Sequence, residues 1–281
     1  MAIGVITNVA SLNAQRNLNR TQHSLNTSLQ RLSSGLRINM AADDAAGLAI
    51  SEKLRAQIRG LGQAERNAND GISLVQTAEG AMSELTSILI RQRELAVQSA
   101  NDTVGSVERT FIQQEVSQLR EEINRIAEVA EFNGTKLLDG TVTTVAFQVG
   151  IQDTSNDRIL VSIDDVHASN LGDSTVTNGV MGVDVTTITG AREALNILDE
   201  AITDMSRARS ELGATQNRLQ VTIANLATAR ENLSAAKSRI RDADVAHETS
   251  NLTRANILMQ AGISVLAQAN QAPALALSLL G

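Results

Sequence analysis

Apolar residues recur at strict sevens along most of the chain. Leu54, Leu61, Ala68, Val75, Met82, Leu89 and Ala96 form one series, with Gln57, Ala64, Gly71, Ala78 and Leu85 three positions further on. A second runs Leu198, Met205, Leu212, Leu219, Leu226, Leu233 and Ile240, flanked by Ala194, Ala201, Ala208, Thr215, Thr222, Ala229 and Ala236, small residues that let a partner helix come close. A third, shorter series has Ile112, Leu119 and Ile126 with Val116, Ile123 and Ala130 four on, a wider apolar face. This spacing predicts three long helices packed on one another. Helices of about fifty residues reach roughly 75 Å, so the expected fold class is mainly α: a long antiparallel helical rod, coiled-coil-like, with left-handed supercoiling.

In the middle of the chain the period changes to two. Val145, Phe147, Val149 and Ile151 alternate with polar or small residues, and Ile159, Val161 and Ile163 repeat the alternation after the polar turn "QDTSND". A small β-hairpin is the expectation, with Asn133-Gly134 and Asp139-Gly140 supplying turns just before it. From about residue 164 to 189 the chain is rich in Ser, Thr, Asn and Gly, which predicts an exposed loop with one weak strand near Val183.

Both ends carry helical patterns of their own. Leu18, Leu25 and Leu32 with Gln22, Leu29 and Leu36 make one seam; Val245, Leu252, Met259 and Leu266 make another, five residues out of step with Ile240. That slip predicts a boundary near 241–245. No acidic residue occurs before Asp43, and after Asn251 the only charge is Arg254. Such narrow seams bury little against an ordering cost of roughly 1 to 2 kcal/mol per residue, so the ends are expected to be loose in a single copy and to become ordered when many copies pack together.

Composition narrows the function. Apolar content is 42%, with three Phe, no Trp, no Tyr and one Pro, as in long helices packed on helices. A net charge of −7 without Lys/Arg clusters argues against a nucleic-acid surface. Of 24 basic residues only Lys53, Lys136 and Lys237 are lysine; arginine is the better group for fixed, directional contacts at interfaces. The absence of Cys excludes disulfides, thiolate metal sites and cysteine nucleophiles. No Sec-type signal pattern opens the chain and no stretch approaches a membrane span, so no membrane partner is expected.

Chemistry is absent from the motifs. His247-Glu248 begins an H-E-x-x-H zinc motif, but the fifth position is Asn251. Gly60-Leu61-Gly62 begins a dinucleotide fingerprint that Glu65 ends. "DTSNDR" lacks the glycine a calcium loop needs, and Asp43-Asp44 reads as the charge at a helix N-terminus. No catalytic, cofactor or metal site is expected. The one dense feature is "LIRQRELAVQSAND", residues 89–102, which sets Arg91, Leu95 and Gln98 on a strip away from the Leu89–Ala96 seam, toward the 106–131 helix and toward contact with other molecules.

These stretches resemble bacterial flagellins from end to end. The segment from "SLNAQRNLNRTQHSLNTSLQRLSSGLRINMAADDAAGLAISEKL" through "GQAERNANDGISLVQTAEGAM", then "FNGTKLLDG", then "SRIRDADVAHETSNLTRANILMQAGISVLAQANQ" match that family in order, over roughly 2–165 and 190–281. The resemblance implies terminal helices at 1–44 and 242–281 forming the inner filament core, with Leu18, Leu25, Leu29, Leu32, Leu36, Val245, Leu252, Met259 and Leu266 as assembly residues. It implies a 45–241 rod domain of three long helices, with a hairpin and exposed loop at about 141–189 and no large outer lobes. It further implies a non-enzymatic, self-polymerising subunit of the extracellular filament, exported unfolded through the flagellar type III apparatus without a cleaved Sec signal. Implied partners are copies of the chain, an export chaperone over about Asn256 to Leu280, the flagellar cap and hook-associated proteins, and Toll-like receptor 5 at Arg91, Leu95 and Glu115. Two other readings stay open: a flagellin-like hook-filament junction protein, and a signalling coiled coil, which would need charged ends and a sensory module.

Overall fold

The computed structural model describes residues 7–172 and 179–278, the last seven by backbone alone. It is mainly helical: α1 (Val9–Ser34), α2 (Ala45–Ser99), α3 (Ser106–Val129), α4 (Ile188–Arg241) and α5 (Val245–Ser278). Two antiparallel ribbons interrupt the helices, β1 (Glu131–Phe132) with β2 (Thr135–Lys136) and β3 (Thr144–Gln148) with β4 (Arg158–Ser162). Two compact units result, Met1–Ile58 with Glu231–Gly281 and Arg59–Arg230. The division falls inside α2 and α4, both of which run unbroken through it. The slip in register coincides instead with the break between α4 and α5.

In the larger unit the sevens become the core. Leu61, Ala68, Val75, Met82, Leu89 and Ala96 of α2 and Leu198, Met205, Leu212, Leu219 and Leu226 of α4 are all buried. Ile112, Val116 and Ile123 of α3 close the third side. Ion pairs set α2 against α4 in antiparallel register: Arg93 with Asp199 at 2.6 Å, Glu79 with Arg209 at 3.7 Å, and Glu65 with Arg230 at 2.7 Å. At the α2–α3 turn, Arg109 is buried and donates from Nε to the Ser99 carbonyl at 2.9 Å and from Nη2 to that of Asn101 at 3.0 Å, satisfying carbonyls that the end of α2 leaves open.

The predicted hairpin is present, with Val145 opposite Val161 and Phe147 opposite Ile159. Its inner residues Phe147, Val149 and Ile159 pack with Ala68 of α2 and Leu219 of α4. Two glycines make the seat: a Cβ at Gly71 would lie 3.2 Å from the Phe147 ring, and one at Gly60 would lie 2.9 Å from Ile151. β1 and β2 join through Asn133 and Gly134, whose φ values of 51° and 76° are the doubly left-handed geometry that favours Asn-Gly in two-residue hairpins.

The segment after β4 departs from the sequence reading. It holds no strand at Val183; a short 3-10 turn covers Gly179–Gly182. Nor is it simply an exposed loop, since Val166, Ala168, Leu171, Val180, Val183 and Val185 all enter the core. The polar side of α3 holds it there. Gln113 accepts from the Val185 N–H at 2.8 Å, Arg120 donates to the Met181 carbonyl at 2.9 Å, and Asn124 accepts from the Ala168 N–H at 3.0 Å.

The smaller unit pairs α1 with α5, antiparallel. Asn8 caps α1 by accepting from Ser11 N–H, and Gly35 ends it in a left-handed conformation. Beyond that cap the chain pairs with the α4–α5 junction like a strand, Arg37 N–H to the Arg241 carbonyl at 2.7 Å and Ala243 N–H to that of Gly35 at 3.0 Å. Ile38 is buried. The Asp43-Asp44 pair divides its work: Asp44 caps α2 by accepting from Gly47 N–H at 2.8 Å, whereas Asp43 closes the preceding turn on Asn39 and Met40 N–H.

Candidate assembly surfaces

Three polar contacts fix the register of α1 on α5. Asn8 Nδ2 donates to the Ala269 carbonyl at 2.7 Å, Ser11 meets Asn270 at 2.7 Å, and Ser28 Oγ donates to the Glu248 carboxylate at 2.5 Å. Between them Leu25 is buried, and Leu18, Leu32, Leu252, Met259 and Leu266 are half-buried, as the seams place them. Three expected seam residues fall elsewhere. Leu29 and Val245 are exposed: Leu29 lies four residues and about 40° round the helix from buried Leu25, and Val245 is the first residue of α5. Leu36 lies past the α1 cap, half-buried and paired with Asp242 through its backbone.

The pair therefore has a thin interior and an apolar exterior. Leu25 is the one large apolar side chain of α1 and α5 buried among the described residues. Val9, Leu12, Leu29, Val245, Ile257, Leu258, Ile263 and Val265 stay exposed, from 48% for Leu29 to 61% for Val9 and Ile257. Scattered exposed leucines are ordinary, but this many on two helices with so little interior mark a surface meant to be covered. The ionised side chains of the two helices are Arg16, Arg20, Arg31, Arg254 and the buried Glu248.

A second surface lies in the larger unit, where Arg91 of α2 meets Glu115 of α3. Its Nη2 is 2.8 Å and its Nε 3.0 Å from Glu115 Oε1, and its Nη1 is 3.0 Å from Glu94 Oε2. The Glu115 carboxylate, then that of Glu94, holds the guanidinium more firmly protonated than usual. All three side chains are exposed. Leu95 is not part of that surface: it is 2% exposed, within the helical core. α2 is covered on two sides, by α4 along the heptad seam and by α3 along the Gln92–Leu95 side, where Gln92 Nε2 donates to the Val116 carbonyl at 3.2 Å. The strip that the sequence directs partly toward the 106–131 helix is thus half interior.

Sequence reasoning missed the buried polar groups. Arg109 and Gln113 look like solvated helix residues, and only their position beside the α2–α3 turn and the later loop gives them partners. Glu248 carried a signal, as the one acid of a helix otherwise short of charge. Among the described residues no group of three or more His, Asp or Glu is placed to hold a metal ion, and no helix is long and apolar enough to cross a membrane.

Comparison with known proteins identifies the family. Residues 5–143 match the bacterial flagellin N-terminal helical region and residues 195–280 the bacterial flagellin C-terminal helical region. A flagellin of Halalkalibacterium halodurans is 50% identical over 273 residues, covering 97% of this chain and 98% of that one. Flagellin D of Vibrio anguillarum is 40% identical in an alignment of 377 positions that covers both chains completely. The Vibrio protein therefore carries residues that this 281-residue chain lacks, in keeping with a minimal central region here. In fold, the chain resembles a candidate flagellar hook-associated protein of Vibrio parahaemolyticus, with a TM-score of 0.59, 13% identity, and coverage of 71% of this chain and 100% of that one. That likeness concerns the fold alone, whereas the sequence relatives are flagellins. The chain belongs to the bacterial flagellin family, a family of structural, non-enzymatic subunits of the extracellular flagellar filament.

Proposed function

We propose that this chain builds the filament through the outer faces of α1 and α5, which stay only marginally ordered until neighbouring copies cover them. The observation that carries the reading is that, among the described residues of these two helices, one large apolar side chain, Leu25, is buried and eight are exposed. Burial of a large apolar side chain contributes about 1.5 to 3 kcal/mol, so the free pair gains little and the assembled one much. Seeded polymerisation of purified monomer followed by electron microscopy tests it. Filaments of uniform width are expected; none under any salt or seed condition overturns it. Limited proteolysis of dilute monomer supplies a second check, with cleavage expected in α1 and α5 well before α2 to α4.

The same marginal ends suit a chain that leaves the cell unfolded through the flagellar type III apparatus and adds beneath the flagellar cap beyond the hook-associated proteins. Ile257, Leu258, Ile263 and Val265 give an export chaperone an apolar stripe on α5 to shield. The exposed Arg91–Glu94–Glu115 cluster supports a further reading, recognition of the free subunit by Toll-like receptor 5, with Leu95 acting only as the packing beneath it. Arg91→Ala is expected to weaken receptor activation while leaving monomer stability nearly unchanged. Undiminished activation by that variant removes the receptor reading.

A further inference from the structure

The cleft between α1 and α5 has more cations than it can neutralise. It measures about 430 Å³ and is lined by Arg20, His23, Arg31, Glu248, Arg254 and Leu258 among others. Its one carboxylate, Glu248, is 6% exposed and already engaged, by Ser28 Oγ at 2.5 Å and Arg31 Nη1 at 3.7 Å. Arg31 Nε is buried without a hydrogen-bond partner. Among the described residues no carboxylate lies within ion-pairing distance of Arg20 or Arg254. In a free copy water serves these guanidinium groups. Once neighbouring copies cover the apolar flanks, including Leu258 at the cleft's edge, that water is lost and a charge without a partner opposes the contact.

The missing negative charge cannot come from a neighbour's α1 or α5, since α1 has no acidic residue and α5 has only the buried Glu248. It is present in the connectors that flank the pair. Asp43, Asp44, Asp242 and Asp244 are all exposed. Asp44 and Asp244 each use Oδ1 on a helix N-terminus, Asp43 uses Oδ2 on its own turn, and Asp242 makes no side-chain hydrogen bond among the described residues. Each retains a carboxylate oxygen for an outside cation.

We infer that the α1–α5 cleft is the seat for the acidic connector of a second copy of this chain, Arg20 and Arg254 of one copy meeting the connector aspartates of the next. Ten residues of α5 separate Asp244 from Arg254, so a neighbour shifted along the helix axis by about 15 Å brings its connector level with the cleft. Such a contact is head-to-tail and propagates instead of closing on itself, as a filament requires. It rests on the filament reading above and adds which groups set the stagger.

Charge exchange in the full-length chain tests it, read by the rate of seeded polymerisation. The cleft variant Arg20→Asp/Arg254→Asp and the connector variant Asp43→Lys/Asp242→Lys are each expected to slow elongation by about tenfold or more, with monomer helicity unchanged by circular dichroism. The chain carrying all four changes is expected to regain most of the wild-type rate. If the cleft variant elongates like the wild type, or the fourfold variant is as slow as either parent, the inference is overturned while the filament reading stands. If wild-type monomer itself never elongates, both fall together.

Discussion

The Gln113 side chain accepts the backbone N–H of Val185 at 2.8 Å, tying α3 to a chain segment more than seventy positions away. Its Nε2 reaches the Val183 carbonyl at 3.4 Å, so one amide satisfies two backbone groups on either side of Asp184. Gln113→Met keeps the volume and strands both groups. It is expected to lower unfolding stability by about 1 to 3 kcal/mol, measured from the denaturant midpoint, with hydrogen-exchange protection lost first at Val185.

Glycines along α2 separate into two kinds. Gly80 has open space where a Cβ would sit, so Gly80→Ala removes helix-interior glycine at no steric cost and is expected to raise stability by about 1 kcal/mol. Gly71→Val pushes into Phe147 and Leu219, the seat of the hairpin, and is expected to lower it by about 1 to 3 kcal/mol. Thermal melts of the two variants should move in opposite directions.

Leu95→Ala distinguishes interior from surface. Because the side chain is buried, truncation is expected to cost about 2 to 5 kcal/mol of unfolding stability. Arg91→Ala, which removes only an exposed ion pair, is expected to leave stability nearly unchanged.

Acid should weaken the α2–α4 contact at Asp199. The Arg93 hydrogen bond holds that carboxyl below the ordinary aspartate value. A group whose folded value is depressed adds stability above its unfolded value, and this is lost as pH falls through the folded one. The window therefore lies below about pH 4. Arg93→Gln is expected to raise the Asp199 value toward normal in a carboxyl NMR titration and to flatten the acid loss of stability; an unchanged titration contradicts the assignment.

Two kinds of charged substitution probe the terminal pair. Leu25→Asp enters the seam and is expected to abolish polymerisation and the α1–α5 pairing together. Ile263→Asp lies on the exposed flank and is expected to abolish polymerisation alone, leaving the monomer's helicity as it was.

Much of the molecule was legible in its periodicities. Sevens located the core of α2 from Leu61 to Ala96 and of α4 from Leu198 to Leu226, because helix–helix burial repeats with the helix itself, while Leu54, Leu233 and Ile240 of the same series are half-buried; the alternation from Val145 to Ile163 located the hairpin. What stayed hidden depended on tertiary partners. The segment from Val166 to Val185 has a loop's composition, and its burial follows from Gln113, Arg120 and Asn124 of a helix whose polar face looked solvated. The sequence turns the Leu95 strip partly toward the 106–131 helix, but the full burial of Leu95 follows only from α2 being covered on two sides. At the ends, the seams place Leu18, Leu25 and Leu32 inside the pair, whereas Leu29 and Val245 lie on its exposed apolar flank.

The pairs Arg93–Asp199, Glu79–Arg209 and Glu65–Arg230 add little stability individually, as exposed ion pairs do. Their spacing matters more than their strength. They recur every fourteen residues on α2 but at ten and then twenty-one on α4, and their polarity reverses after the first. Sliding one helix past the other cannot re-form all three at once, since the shift that sets Arg230 opposite Glu79 carries Arg93 level with about Gln220, past Arg209. The three contacts thus work as a key: they mark one alignment of α2 on α4, and any other leaves charges on both helices without their partners.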